Sequence, residues 1–211
     1  MQLGSGAVQK SDSKLFKGQN LFIVIALGLG AFVLAILYSG AFDVEAIRLA
    51  VRQTARTSLV LYLMAFCASS LYKLSPSGGT AWLVRNRRWF GLGFAFSHLL
   101  HAIVLLMFLD SDSETFWSMV KTPNLVIGGT GYFFITILAA TSFNGAVRKL
   151  GPAKWKLLHT VAVYVVWVNF MISNGKRIPV SEFYLLPVAL LVGAMLLRVA
   201  GRYWKRTPVP A

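Results

Sequence analysis

An uncharged run of about twenty residues lies near the middle of this 211-residue chain. It covers residues 89–109, and Arg85, Arg87 and Arg88 precede it closely. A helix needs about 20 apolar residues to cross the hydrocarbon core of a bilayer, which is about 30 Å thick. The run therefore predicts a membrane-spanning helix that is preceded by a basic segment.

Further apolar segments account for most of the remaining chain. Hydrophobic residues make up 56% of the sequence and charged residues only 13%, whereas soluble domains carry about 25% charged residues. We predict six spans, at residues 21–38, 58–74, 90–109, 125–140, 157–173 and 183–199. The sequence thus predicts an all-α integral membrane protein, a six-transmembrane-helix bundle at 21–199, with a polar tail at 1–20 and a basic tail at 200–211.

The charged residues are divided between the two sides of this predicted bundle. Six of the seven acidic residues fall on one side, at Asp43, Glu45, Asp110, Asp112, Glu114 and Glu182. Most basic residues fall on the other, namely Lys10, Lys14, Lys17, Lys73, Arg85, Arg87, Arg88, Arg148, Lys149, Lys154, Lys156, Arg198, Arg202, Lys205 and Arg206. The positive-inside rule then predicts that both termini are cytoplasmic. The net charge of +14 is explained by these loops, so no nucleic-acid partner is expected.

Three arginines at four-residue spacing follow the first predicted span. Arg48, Arg52 and Arg56 would form one stripe on a helix, opposite Ile47 and Val51, which predicts an interfacial amphipathic helix. One interpretation is a solvated face of side chains that extend to the interface. The other is an anion clamp at the outer surface, for an acidic cofactor group or an acidic partner.

Histidines are the ionisable residues placed deepest in the predicted bundle. His98 and His101 lie near the middle of the third span and project from one helix face, and His159 opens the fifth span. No carboxylate lies well inside a predicted span, and imidazole suits haem iron in a helical bundle. The alternative is that each histidine only bonds a serine, threonine or backbone group of a neighbouring helix. The single cysteine, Cys67, excludes covalent attachment of a c-type haem.

Two stretches carry a resemblance to a known family. RRWFGLGFAFSHLLH in the third span, and TSFNGAVRKLGPAKWKLLHTVAVYVVW across the fourth loop and fifth span, resemble the ferric reductase-like transmembrane superfamily. TARTSLVLY in the second span is similar too, and the resemblance covers about residues 45–175. This superfamily includes ferric reductases, NADPH oxidases and the haem-bearing membrane subunits of periplasmic methionine sulfoxide reductase systems. The resemblance implies a multi-pass protein of the bacterial inner membrane.

The resemblance also implies b-type haem between the third and fifth spans. His101 matches the family's outer ligand on the third span, His159 matches its inner ligand on the fifth, and His98 is held in reserve. The two remaining ligand positions are occupied by Arg87 and Ile172. At 1.5 Å per residue, His101 would lie roughly 15 Å deeper than His159, and His98 roughly 10 Å deeper.

The implied function is electron transfer across the membrane by a haem b protein. No flavin or nicotinamide domain is expected in the chain, so electrons would arrive in trans from a cytoplasmic flavoprotein or a quinone and leave to an outer-face acceptor protein. Arg85, Arg87, Arg88 and Arg56 are candidates for partner docking or for contact with haem propionates. If the protein acts in an enzyme, it is as an oxidoreductase membrane subunit. The alternative is a haem-free family member that serves as a membrane scaffold or partner subunit.

Overall fold

The computed structural model describes residues 16–204, and eight α-helices and no strand lie within that range. The helices are Gly18–Ser39 (α1), Val44–Leu74 (α2), Gly78–Ser111 (α3), Ser113–Met119 (α4), Thr122–Ala140 (α5), Asn144–Leu150 (α6), Pro152–Gly175 (α7) and Leu185–Tyr203 (α8), and a short 3₁₀ turn, Glu182–Tyr184, precedes α8. The six longer helices are long and apolar enough to cross a membrane. The predicted all-α fold with six spans is therefore confirmed, and the chain is a multi-pass membrane protein.

The two ends of the bundle differ in charge. We call the end at which α1 begins and α2 ends the basic end, and the end at which α1 ends and α2 begins the acidic end. The predicted cytoplasmic position of the basic end stays a prediction, as do the predicted tails at 1–20 and 200–211. Parts of these tails, with Lys10, Lys14, Lys205 and Arg206, lie outside the described residues.

The arginine stripe does not form a separate interfacial helix, so that prediction was wrong. Helix α2 begins at Val44 and continues without a break to Leu74. Its N-terminus is capped by Asp43, whose carboxylate accepts from the Ala46 N–H at 2.7 Å. No glycine or proline occurs within α2, so nothing in the sequence ends the amphipathic stretch before the apolar one begins. One helix of 31 residues therefore carries both.

Helix α3 also begins earlier than predicted, at Gly78 rather than near residue 90. Ser77 and Thr80 form a reciprocal capping box, in which each side chain accepts from the other residue's backbone N–H. The predicted loop therefore ends at Ser77, and Arg85, Arg87 and Arg88 lie on the helix itself. The resulting 34-residue helix packs along α2 more extensively than any other pair within 16–204.

Close backbone contacts hold the outer helices against this central pair. A Cβ atom on Gly201 of α8 would lie 2.9 Å from the Cβ of Ser70 on α2, and one on Gly93 of α3 would lie 2.9 Å from the Ile25 side chain of α1. Glycine at these two positions therefore permits the helices to approach each other. The larger apolar cluster fills the space among α1, α2, α3, α5, α7 and α8, and includes Tyr62, Phe94, Val166, Phe170 and Leu191.

Candidate functional site

A strip of hydroxyl side chains crosses the otherwise apolar contact between α2 and α3. Ser58 Oγ donates to Ser97 Oγ at 2.9 Å, and the Thr57 hydroxyl lies 3.0 Å from the same oxygen. Ser58 and Ser97 are fully buried. Because buried polar groups are stable only when they are hydrogen-bonded, the bond between the two fully buried serines, Ser58 and Ser97, determines the register of the two helices. That register places Thr54 of α2 beside His101 of α3.

His101 is bonded through one ring nitrogen to α2. Its Nδ1 lies 2.9 Å from Thr54 Oγ1. The same hydroxyl lies 2.7 Å from the carbonyl oxygen of Ala50 and 3.1 Å from that of Val51. Thr54 is only 1% exposed, so the contact is made inside the bundle. The alternative stated for the histidines, a bond to a threonine of a neighbouring helix, is therefore present at His101.

His98 faces α5 and α7 and is surrounded by aromatic rings. Its ring centroid lies 5.1 Å from that of Tyr132, 5.4 Å from Phe94, 5.5 Å from His101 and 6.0 Å from Phe170. His98 Nδ1 and Tyr132 Oη are both buried without a hydrogen-bond partner in the described part of the chain. Such orphaned polar atoms are unusual in a folded interior. At the junction of α3, α5 and α7 the described part of the chain thus leaves a ring nitrogen and a hydroxyl without a partner.

His159 lies at the basic end and is engaged differently. Its Nε2 is 2.8 Å from the Thr141 hydroxyl, and its ring packs 4.2 Å from that of Trp155 between centroids. Since Phe170 packs against His98, the two residues share a level, and His159 lies eleven residues earlier on α7. At 1.5 Å per residue this separates His159 from His98 by roughly 16 Å along the axis. The structure thus brings His98 and His101 together and keeps His159 apart.

The three arginines at the start of α3 point in different directions. Arg85 and Arg87 are exposed, and Arg87 Nη1 donates to Ser69 Oγ of α2 at 2.8 Å. The Arg88 guanidinium lies 5.1 Å from the ring centroids of both Trp89 and Phe143. These residues provide positive charge at the basic end. Arg87 stands where the resemblance places a haem ligand, and its guanidinium is bonded to Ser69.

Arg56 lies away from all three histidines. It lines a groove of about 410 Å³ between α1 and α2, together with Val24, Gly28 and Val60. Thr54, two residues earlier on the same helix, faces α3 instead, since residues two apart on a helix point to nearly opposite sides. The other two arginines of the stripe form ion pairs with Glu45, which accepts from Arg48 at 3.4 Å and from Arg52 at 2.9 Å.

Sequence reasoning missed the side chains that surround the histidines. Thr54, Thr141 and Tyr132 are ordinary residues of membrane helices, and only the packing shows which histidine each one meets. From the sequence, Arg198 serves only as one of the basic residues that predict the orientation of the bundle. In the structure it donates to Tyr164 Oη and to the Phe66 carbonyl, and its guanidinium lies 4.4 Å from the Phe66 ring centroid. The sequence does contain one indication of the role of Thr54: positions 54, 57 and 58 form a face of hydroxyl residues opposite the arginine stripe.

Comparisons with known proteins identify the family of the chain. Residues 54–170 match the model of the ferric reductase like transmembrane component family. The chain is 32% identical to the protein-methionine-sulfoxide reductase heme-binding subunit MsrQ of Azospira oryzae, over 83% of this chain and 78% of that protein. Proteins of the same name are 33% identical in Herminiimonas arsenicoxydans, over 69% of this chain and 66% of that protein, and 35% identical in Ralstonia nicotianae, over 56% and 53%. No solved structure matches. The matched region contains His98, His101 and His159, and the chain belongs to the ferric reductase-like transmembrane family.

Proposed function

We propose that this protein is a membrane electron-transfer subunit that binds haem b at the junction of α3, α5 and α7. The observation that carries the proposal is the neighbouring pair His98 and His101 inside the bundle, together with two buried atoms that have no partner in the described part of the chain, His98 Nδ1 and Tyr132 Oη. Ionisable residues at this depth are costly and mark functional sites. Family membership supports the same assignment, since the MsrQ relatives are named as heme-binding subunits.

The residues at this junction fit a haem. Imidazole is a usual axial ligand of haem iron; the family resemblance favours His101 as the ligand, with His98 in reserve. The rings of Phe94, Tyr132 and Phe170 surround the site and would exclude water from a bound macrocycle. When bound, haem supplies one-electron redox chemistry that no side chain of this bundle provides. His159, roughly 16 Å away along the axis, would serve a separate position at the basic end rather than the same iron.

The two ends of the bundle are proposed to meet different partners. At the basic end, Arg85, Arg87 and Arg88 provide a surface for an acidic flavoprotein as electron donor; a neutral quinone of the membrane is the alternative donor. At the acidic end, the carboxylates near the helix termini suit an acceptor protein with a basic face. The names of the relatives make a protein-methionine-sulfoxide reductase the first acceptor to test. In this proposal electrons move from the cytoplasmic to the outer side.

The direct test is the haem content of the purified protein. We expect a single haem per chain and a b-type band in the dithionite-minus-oxidised difference spectrum. The absence of any such band from protein expressed with ample haem would refute the proposal.

A haem-free partner subunit is the second candidate function. Two observations favour it: Arg87, at a family ligand position, is bonded to Ser69, and Ile172, at the other, is 42% exposed on the outside of α7. Neither position offers a second histidine to an iron. Purification of a stable complex with another protein, without haem in either component, would favour this candidate over the first.

A further inference from the structure

The direction of the hydrogen bond between Thr54 and His101 follows from the other groups around the Thr54 hydroxyl. A threonine hydroxyl carries one hydrogen and can accept through its oxygen. Two carbonyl oxygens lie within reach of the Thr54 hydroxyl, at 2.7 Å and 3.1 Å, and a carbonyl can only accept. The hydroxyl hydrogen is therefore directed to the backbone of α2. The remaining contact, to His101 Nδ1 at 2.9 Å, is one in which the ring N–H donates to the threonine oxygen.

This direction determines which ring nitrogen of His101 is free. A neutral imidazole carries a single N–H, and the other nitrogen keeps its lone pair. With the hydrogen on Nδ1, the lone pair of His101 is on Nε2. Histidines that bind metals in proteins usually have this arrangement, in which the second ring nitrogen donates to a fixed oxygen and thereby sets the tautomer and the orientation of the ring.

His159 has the same kind of partner but with the opposite nitrogen. The Thr141 hydroxyl is directed to the Ile137 carbonyl at 2.6 Å, so its oxygen accepts from His159 Nε2 at 2.8 Å. The lone pair of a neutral His159 is then on Nδ1, next to its own backbone. The two histidines that match family ligands are thus held in opposite tautomers, and only His101 has a free Nε2.

We propose that Thr54 is a positioning residue that holds His101 as the Nδ1–H tautomer and presents Nε2 to haem iron. The proposal rests on the haem binding proposed above. Thr54 does not itself touch the cofactor. It acts by accepting from Nδ1, which makes Nε2 a stronger donor and prevents the ring from rotating. The buried hydroxyl of Thr54 therefore has a role beyond the packing of α2 against α3.

A matched pair of variants separates this role from a merely structural one. Thr54→Val removes the hydroxyl and keeps the shape of the side chain, and Thr54→Ser restores the hydroxyl. The control is Thr57→Val, on the same helix and facing the same neighbour. The Thr57 hydroxyl bonds the Gln53 and Thr54 carbonyls and Ser97 Oγ, and it contacts no histidine.

Haem affinity and reduction potential are the two measurements. We expect Thr54→Val to weaken haem binding by about 10- to 100-fold, as for the loss of an outer hydrogen-bond partner of a metal ligand. The midpoint potential should rise, because a less basic imidazole stabilises ferric iron less. Thr54→Ser should restore both values, and Thr57→Val should leave both as in the wild type.

The tautomers can also be measured without haem and without a variant that has to fold. In wild-type protein with ¹⁵N-labelled histidine, the ring nitrogen shifts should show His101 as Nδ1–H and His159 as Nε2–H. The reverse assignment at His101 would overturn the proposal. A Thr54→Val protein with the same haem affinity and midpoint potential as Thr57→Val would also overturn it. In that case, haem bound to the wild-type protein would still support the proposed function. Wild-type protein without haem would refute both.

Discussion

Replacement of His101 by alanine is expected to abolish haem binding while the bundle stays folded. The fold should survive because the variant leaves no orphaned donor: the Thr54 hydroxyl keeps its bond to the Ala50 carbonyl at 2.7 Å. The remaining cost is the cavity left by the ring, about 2–5 kcal/mol by analogy with other large-to-small changes in a packed interior. Loss of the ligand itself should exceed the roughly 10- to 100-fold effect of losing an outer hydrogen bond.

His159 and His98 provide the matched comparisons. His159→Ala should leave the haem content and the spectrum unchanged, since His159 Nε2 is already bonded to Thr141 and the residue lies at a different level from the proposed haem site. His98→Ala should retain haem at a moderate yield. His98 could replace His101 only if α3 rotated by about 60°, and close packing resists such a rotation.

The assay is the haem-to-protein ratio of the three variants, each purified in the same detergent, together with the difference spectrum. Circular dichroism of each variant shows whether the helices are intact. Haem that persists in His101→Ala but is lost from His98→Ala would refute the family register used here. The iron would then lie one helical turn closer to the basic end.

Two further predictions concern packing and orientation. Gly201→Ala should lower the free energy of unfolding by about 1–3 kcal/mol, because its Cβ would lie 3.1 Å from the Ser70 backbone. Gly193→Ala, on the same helix, meets open space and should not lower it. Thermal unfolding in detergent compares the two variants, and equal midpoints would contradict the close contact at Gly201. A cysteine placed at Ser113 should react with an impermeant label from outside intact cells, and one at Ser75 only after permeabilisation; the opposite pattern would invert the predicted orientation.

The spans could be predicted from sequence because length and hydropathy determine them. All six predicted segments lie within helices of the structure, apart from the first two residues of the last segment, which lie in the 3₁₀ turn before α8. The ends were predicted less well, and for a physical reason. The arginine stripe of α2 and the RNRR segment of α3 are polar, so hydropathy excludes them, although nothing in either stretch stops a helix. Helix length depends on where a stop signal occurs, and hydropathy measures only which part is apolar.

The site was predicted only as far as the identity of the histidines. Histidine inside an apolar run is visible in the sequence, so His98 and His101 were found. Their partners depend on the relative register of two helices, which the Ser58–Ser97 contact determines. A shift of one residue between α2 and α3 would turn Thr54 away from His101. No periodicity within a single segment contains that information, so Thr54, Thr141 and Tyr132 could not be assigned beforehand.

Helix α2 carries no candidate ligand, and yet it governs the chemistry of the one on α3. Arg56 of its arginine stripe lines the groove beside α1, and the Thr54 hydroxyl faces α3. A neutral hydroxyl can orient the imidazole ring without adding a charge beside it. At the basic end, Thr141 of α5 directs the nitrogen of His159 in the opposite sense. The difference between the two histidines therefore arises from threonines on neighbouring helices, and it can be changed by one hydroxyl without touching either ligand candidate.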